Sequence, residues 1–156
     1  MTGPDHTYLF REAFWAAEGM YRDTAGTEYP VEGESTITHG ADSWSIEGSL
    51  RLFGDEKAAF VTSCRIAPFA QAAAYTSWVS DNPALGRMEG RFAVVEDMIL
   101  SHFRSDDGLY GGSECFRRVN AHTYRSRGVL FKDGSLVSSW AVNWSMSRGA
   151  GRRKQA

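Results

Sequence analysis

Residues 123–146 read TYRSRGVLFKDGSLVSSWAVNWSM, and this stretch decides the fold because it carries a β-hairpin signal. Two runs that alternate apolar and polar residues flank Asp133-Gly134, a dipeptide typical of two-residue hairpin turns. If this dipeptide forms the turn, Arg127 lies opposite Trp140 on the neighbouring strand. The stretch therefore predicts a terminal antiparallel hairpin with large rings along one face.

The same register, continued through a predicted Val119-Asn120 turn, places charged side chains on the face that carries Trp140 and Trp144. Charges among large apolar side chains are costly unless they are paired or used in a function. The register therefore predicts a pocket whose three ionisable residues are Glu114, Arg125 and Arg127.

Turn signals divide the chain after residue 18 into short alternating strands, and one face stays apolar from pair to pair. We predict an all-β fold, an up-and-down antiparallel barrel of nine to ten strands, because closure removes the edges of so large a sheet. A β-sandwich is the alternative. The predicted turns are Gly40-Ala41, Gly54-Asp55-Glu56, a loop around Pro68, Glu96-Asp97 and Asp107-Gly108.

The segment before these strands has a different pattern. Phe10, Phe14 and Ala17 keep helical spacing, and Gly19 could end a helix. We therefore expect residues 7–17 to form a short N-terminal helix or an irregular lid, with the first strand beginning near Glu18.

Length and charge predict one domain over residues 1–147, followed by a basic, disordered tail over 148–156. The chain has 17 Lys and Arg against 19 Asp and Glu, and four of the basic residues lie in that tail. Without them the body carries −6, so nucleic acid is not expected as a partner. No apolar run is long enough to span a bilayer, and no membrane partner is expected.

The chain has two cysteines and no recognisable export signal at its start, so we expect a cytoplasmic protein. Strand parity puts Cys64 and Cys115 on opposite faces of the sheet, which predicts two free thiols.

One further pattern resembles a known superfamily. Gly19-Met20-Tyr21 follows an aromatic-rich lead segment and opens a meander that ends in SLVSSWAVNWSMSR. Over residues 7–147 this layout resembles the calycins, the lipocalins and fatty-acid-binding proteins, and especially their small bacterial lipocalin-like relatives of unassigned role. The resemblance implies a barrel that binds a small hydrophobic or amphipathic molecule inside.

An interior that gathers rings around a few polar groups is typical of ligand pockets. An inward guanidinium can hold a carboxylate with two hydrogen bonds, so we predict a small hydrophobic or aromatic anion as ligand, with Arg127 as its main contact. The predicted ligand-binding residues are Arg127, Arg125, Glu114, Trp140, Trp144, Trp78, Phe103 and Ser101.

Two alternatives remain open for the same residues. Glu114 and Arg125 could form a purely structural pair. The set could also catalyse a reaction of the decarboxylase or isomerase class, as some lipocalin-like enzymes do, with Glu114 and Tyr110 as candidate catalytic residues.

No cofactor and no metal site are predicted. Haem-binding barrels hold haem through histidine, but we interpret all four histidines of this chain, His6, His39, His102 and His122, as solvated.

Tyr75, Val79, Leu130 and Val137 are predicted on the outer face. An exposed apolar patch would mark a partner surface, which leaves a homodimer open.

Overall fold

The structure is a computed structural model that describes residues 5–54, 59–70 and 73–147. The predicted tail and the centre of the predicted loop at Gly54-Asp55-Glu56 lie outside these residues. In the described part there is no helix long and apolar enough to cross a membrane. The strands are β1 (Ala13–Arg22), β2 (Glu28–His39), β3 (Trp44–Leu52), β4 (Ala59–Ile66), β5 (Tyr75–Asn82), β6 (Gly86–Val95), β7 (Met98–Ser105), β8 (Tyr110–Asn120), β9 (Thr123–Lys132) and β10 (Ser135–Ser147).

The ten strands form a closed barrel in which each strand pairs antiparallel with its neighbours in sequence. β1 completes the ring by pairing with β10 as well as with β2. The prediction of an all-β, up-and-down antiparallel barrel is therefore confirmed at its upper strand number. Closure turns one face of every strand inward, and that face carries the apolar core.

Several predicted turns are confirmed. The Glu96-Asp97 turn pairs Val94 with Ile99, and the Asp107-Gly108 turn pairs Ser101 with Glu114. Asp133 and Gly134 both have positive φ, 49° and 81°, as a two-residue hairpin turn of this type requires.

The predicted N-terminal helix is wrong. Residues 5–12 form turns, and Leu9 has a φ of 72°, which interrupts any helix. β1 begins at Ala13, five residues earlier than expected, and from there burial follows the two-residue period of a strand: Trp15 and Ala17 are buried, whereas Ala16 is exposed. Pairing with two neighbouring strands outweighs the weak helical spacing of the segment.

The predicted register of β9 is also wrong. The turn before β9 lies at Ala121-His122, whereas the predicted turn residues, Val119 and Asn120, belong to β8. The ladder shifts between Arg118 and Asn120 in the β8–β9 hairpin, and between Leu136 and Ser138 in the β9–β10 hairpin. Each shift adds one residue to one strand, and a one-residue change moves a strand's side chains to the opposite face. Tyr124, Ser126 and Gly128 consequently face inward.

Several residues change face as a result. Arg125 and Arg127 lie exposed on the outer face, where alternation with small or apolar residues ordinarily places charges. Leu130, predicted outside, lies opposite the inward-facing Gly112 and Ser138.

Candidate functional site

The interior of the barrel has a closed half. Its inward residues lie at the beginning of β1 and at the adjoining ends of the other strands, and their side chains are almost fully buried. This half is lined by Trp15, Ile37, Ile66, Ile99, Phe116, Tyr124 and Trp144.

The segment before β1 plugs this closed half. The Tyr8 ring enters the barrel and stacks on Phe116 with centroids 4.6 Å apart. Tyr8 also contacts the rings of Trp15, Tyr124 and Trp144. The irregular segment is therefore an internal plug, held by aromatic packing.

Hydrogen bonds fix the plug to the barrel wall. The Tyr124 hydroxyl accepts from the backbone N–H of Thr7 at 3.0 Å and lies 2.7 Å from His6 Nδ1. His6 Nε2 lies 2.9 Å from the Glu96 carbonyl, so it donates there and Nδ1 accepts from Tyr124. The polar side-chain atoms of His6, Thr7 and Tyr124 all have partners, whereas the buried Nε1 of the neighbouring Trp15 has no hydrogen-bond partner among the described residues.

Two histidines therefore have structural roles, contrary to the prediction that all four are solvated. His6 is buried, and His39 donates from Nε2 to the Leu9 carbonyl at 2.7 Å while stacking on Trp44. His102 and His122 are exposed as predicted.

The other half of the interior is open. Its inward rings stand inside a closed barrel, yet they are only half-buried, and Phe60 at its margin is 39% exposed. Solvent therefore reaches a space inside the barrel wall. We call this the open half, lined by Tyr21, Trp78, Phe103, Tyr110, Glu114, Leu130 and Trp140.

A seam in the wall adjoins the open half. β4 pairs with β5 only from Cys64 to Ile66, which leaves the first part of β4 outside this ladder. Phe60 lies in that first part. The β4–β5 ladder is therefore the shortest in the barrel, and it lies next to the open half.

Two tryptophans lie flat against the barrel wall because glycines make room for them. The indole of Trp140 lies over Gly128 and that of Trp78 lies over Gly90, so a Cβ at either glycine would collide with the ring. An indole lying along the wall extends less toward the barrel axis, which preserves space in the centre.

Glu114 is the central polar residue of the open half. It lies in one cross-strand row with Gly128 and Trp140, and opposite Ser101 on β7. Because Gly128 has no side chain, the indole of Trp140 crosses β9, and its Nε1 donates to Glu114 Oε2 at 2.7 Å. Ser126 also hydrogen-bonds the carboxyl and accepts from Trp144 Nε1 at 3.0 Å.

Burial raises the pKa of Glu114 from the usual 4.5 to about 7, although the hydrogen bonds from Trp140 and Ser126 act in the opposite direction. Burial also raises the pKa of Tyr8, and the negative charge of Glu114 contributes to that shift. The described residues include no ion-pair partner for Glu114 within 4 Å. The site therefore holds a carboxyl whose pKa is raised toward neutral pH.

The structure brings most of the predicted site residues together inside the barrel. Trp144 belongs to the closed half, and Tyr110 lies at the open rim, where the Lys132 ammonium is 5.6 Å from its ring centroid. The predicted residues that face inward are Glu114, Trp140, Trp144, Trp78, Phe103, Ser101 and Tyr110.

The two arginines do not join this group. The prediction that Arg125 and Arg127 face the pocket is wrong, because the two register shifts turn both outward. Arg127 Nη1 donates to the Ser126 carbonyl at 2.8 Å along the wall. Its side chain lines an outer groove of about 710 Å³ with outward residues of β1, β2 and β7–β10, including Met20, Leu100, His102, Cys115 and Val129. Four inward-facing residues also border this groove: Ser101, Glu114, Gly128 and Trp140.

Four interior residues are not among those predicted from the sequence. Tyr8 and Trp15 lie in the segment expected to form a helix or lid, and Ser126 and Gly128 alternate with the arginines that were predicted to face inward. A usable signal existed in β9, because Arg125 and Arg127 alternate with Ser126 and Gly128, and the charged set of an alternating strand ordinarily faces water.

The two thiols are free and lie on opposite faces, as predicted. Cys64 faces the interior, and burial raises its pKa to about 12, so it is a poor nucleophile. Cys115 lies on the outer groove.

Comparison with solved structures identifies the fold. The barrel is similar to the S-type phycobiliprotein lyase CPES from Guillardia theta, with a TM-score of 0.66 and 10% identity over 88% of each chain. This similarity is one of fold, and it agrees with the barrel that the resemblance in the sequence implied.

Two further similarities are weaker. One is to AttH of Nitrosomonas europaea, with a TM-score of 0.32 and 12% identity over 92% of this chain and 53% of the other. The other is to an N-terminal dehydratase from the difficidin assembly line, with a TM-score of 0.30 and 11% identity over 94% and 82%. No family model and no curated protein matches the chain.

Proposed function

We propose that this protein binds a small aromatic or hydrophobic molecule in the open half of the barrel. The observation that supports the proposal most directly is a solvent-reached interior lined by rings around one carboxyl, whose ring positions are set by Gly90 and Gly128. Ring-lined enclosures with a few polar groups are the usual form of small-molecule sites.

The exposed rings inside the barrel also indicate that a ligand could stabilise the fold. Filling such a space would stabilise the fold, since each fully buried large apolar side chain contributes about 1.5–3 kcal/mol. The closed half of this barrel is filled by Tyr8 and its neighbours, whereas the open half is not. A ligand that covers Trp78, Phe103 and Trp140 would provide the missing contacts.

The likeness to a phycobiliprotein lyase is consistent with a barrel that holds a small molecule, and it does not specify the ligand. The predicted preference for an acidic ligand depended on Arg125 and Arg127. Because these side chains face outward, the proposed site depends instead on Glu114 and the surrounding rings.

One observation favours a second candidate function, acid–base catalysis of the isomerase type. A carboxyl with a pKa of about 7 can both accept and donate a proton near neutral pH. Tyr110 lies four residues from Glu114 on the same strand, roughly 13 Å along it, and no hydrogen bond joins the two side chains in the described part of the chain, so this candidate depends on Glu114. A decarboxylase would also need a cationic seat for its substrate, which the outward arginines do not provide.

The binding proposal can be tested with phenylnaphthylamine, a neutral apolar probe excited outside the indole absorption band. We expect its emission to rise on titration with the protein. Leu130→Trp, which enlarges an inward side chain of the open half, should weaken binding by at least about tenfold. Absence of binding to the folded wild-type protein would contradict the proposal.

The matched control is Val129→Trp. Val129 is adjacent in sequence and half-buried as well, but it lines the outer groove. This variant should bind the probe with unchanged affinity. If Val129→Trp weakens binding and Leu130→Trp does not, the probe occupies the outer groove and the interior site is wrong.

A further inference from the structure

We propose that the ligand of the open half is basic, an aromatic or hydrophobic molecule carrying a protonated amine, and that Glu114 is its counter-charge. This inference rests on the proposed interior site and specifies the chemical class of ligand that the site selects. It reverses the sign of charge expected from the sequence.

The charges around Glu114 favour a cationic ligand. The residues that contact or face Glu114 are neutral: Ser101 on β7, Ser126 and Gly128 on β9, Trp140 on β10, and the phenol of Tyr8 in the plug. A buried carboxylate without a cationic partner is costly. A cation entering the open half would supply the missing partner.

Among the residues that the structure describes, the cationic side chains of the same face lie at the ends of the strands. Arg118 is four residues from Glu114 toward the closed half, beyond Phe116, and Lys132 is at the open rim against Tyr110. Four residues of strand correspond to roughly 13 Å, which is outside ion-pair range. Neither side chain therefore occupies the position in which a ligand ammonium would stand beside Glu114.

The aromatic rings near Glu114 also favour a cationic ligand. Trp140 is held by Glu114, Phe103 lies over the neighbouring Gly112, and Trp78 contacts Phe103 with centroids 6.0 Å apart. Faces of aromatic rings attract cations, and a set of rings with one carboxylate is the usual site for ammonium groups. The rings would hold the apolar frame and part of the charge, while Glu114 would receive the N–H donors.

The protonation of the Glu114 carboxyl should depend on the charge of the ligand. Burial raises the pKa of Glu114 to about 7, so a part of the Glu114 carboxyls holds a proton near neutral pH. A bound ammonium favours the ionised carboxylate, so its binding should expel that proton. A neutral ligand should expel little or none.

The test uses three probes on one aromatic frame: naphthylmethylamine, methylnaphthalene and naphthoate. For the wild-type protein at pH 7 we expect the amine to bind about tenfold or more tightly than methylnaphthalene, and naphthoate to bind most weakly. Calorimetry of the amine in buffers of different ionisation enthalpy should show proton release. If naphthoate binds as tightly as the amine, the inference is wrong, while the proposed interior site stands.

Glu114→Gln is the decisive variant, because a glutamine oxygen can still accept from Trp140 Nε1. We expect it to bind the amine and methylnaphthalene with similar affinities and to abolish proton release. Glu28→Gln is the matched control, since Glu28 lines the outer groove, and it should leave the wild-type preference unchanged.

The outcomes of the two proposals remain distinguishable. If none of the three probes binds, the proposed function fails. If the amine preference survives Glu114→Gln and disappears in Glu28→Gln, the cation binds in the outer groove, and the assignment to Glu114 is overturned.

Discussion

The closed and open halves of the barrel are built from the same ten strands, but their inward side chains differ in burial. In the closed half Trp15 and Tyr124 are completely buried, and the polar atoms of Tyr124 and His6 are paired. In the open half Trp78 and Trp140 remain half-exposed, and Glu114 lacks a counter-ion among the described residues. The difference indicates that one half stabilises the fold, while the other keeps surface available for a ligand.

The plug explains why the two halves can differ. A ten-stranded barrel is too wide for its own side chains to fill it along its whole length. The chain fills one end with the segment that precedes β1, which places Tyr8 among Trp15, Phe116, Tyr124 and Trp144. The rings on the other side of Glu114, those of Trp78, Phe103 and Trp140, are only half-buried.

The largest expected effect is the loss of the plug ring. Tyr8→Ala should reduce the free energy of unfolding by about 3–5 kcal/mol, because it leaves a cavity among four buried rings. Tyr110→Ala, at the open rim, should cost about 1 kcal/mol. Urea denaturation of both variants measures the difference. Equal losses would mean that the two halves contribute alike to stability.

A smaller effect is expected from one hydroxyl in the closed half. Tyr124→Phe removes the partner of the Thr7 N–H and of His6 Nδ1 while keeping the ring. Each buried group left without a partner costs about 1–3 kcal/mol, so the free energy of unfolding should fall by roughly 2–4 kcal/mol. Tyr75→Phe, at a residue 61% exposed, is the control and should change stability by less than about 0.5 kcal/mol.

In the open half, Glu114 should make the free energy of unfolding depend on pH. The pKa of Glu114 is raised in the folded state, so the folded protein binds more protons than the unfolded chain between pH 4.5 and about 7. Stability from this group is greatest below pH 4.5 and is lost as the pH rises through 7. Because Glu114 as a whole residue is only half-buried, we expect a loss of about 1–3 kcal/mol between pH 5 and pH 8.

Glu114→Gln should remove this contribution. Its free energy of unfolding should exceed that of the wild-type protein at pH 8 and approach it at pH 5. Denaturation at both pH values measures the change. An identical pH dependence in the two proteins would show that the Glu114 carboxyl is solvated like an ordinary surface acid.

The smallest effect is expected outside both halves. Arg127→Ala and Arg125→Ala should change the free energy of unfolding by less than about 0.5 kcal/mol, because both side chains are exposed. Both variants should bind phenylnaphthylamine like the wild-type protein. Loss of binding comparable to that of Leu130→Trp would return these arginines to the ligand site.

Much of the interior could be predicted from local pattern. The alternation of β7, β8 and β10, together with turns such as Asp107-Gly108, placed Ser101, Glu114 and Trp140 on the inner face correctly. These turns contain the short, special residues that set a register by themselves. Local chemistry was sufficient where a hairpin had no bulge.

β9 shows where such reasoning fails. Its two hairpins each contain a register shift, and a shift depends on how the strand fits the curvature and twist of the barrel. The sequences around Val119 and Val137 carry no glycine or proline that would mark the extra residue. The face of Arg125 and Arg127 was therefore decided by barrel geometry.

The sequence by itself determined the strand-forming alternation, most of the turns and the identity of the inward rings, because these follow from interactions between residues close along the chain. Only the tertiary structure decided which end of the barrel is filled, because Tyr8 meets Phe116 and Tyr124 across more than one hundred residues of sequence. It also decided that the remaining interior charge is the carboxyl of Glu114. That result requires the indole of Trp140 to cross Gly128, a contact between three strands that no single hairpin contains.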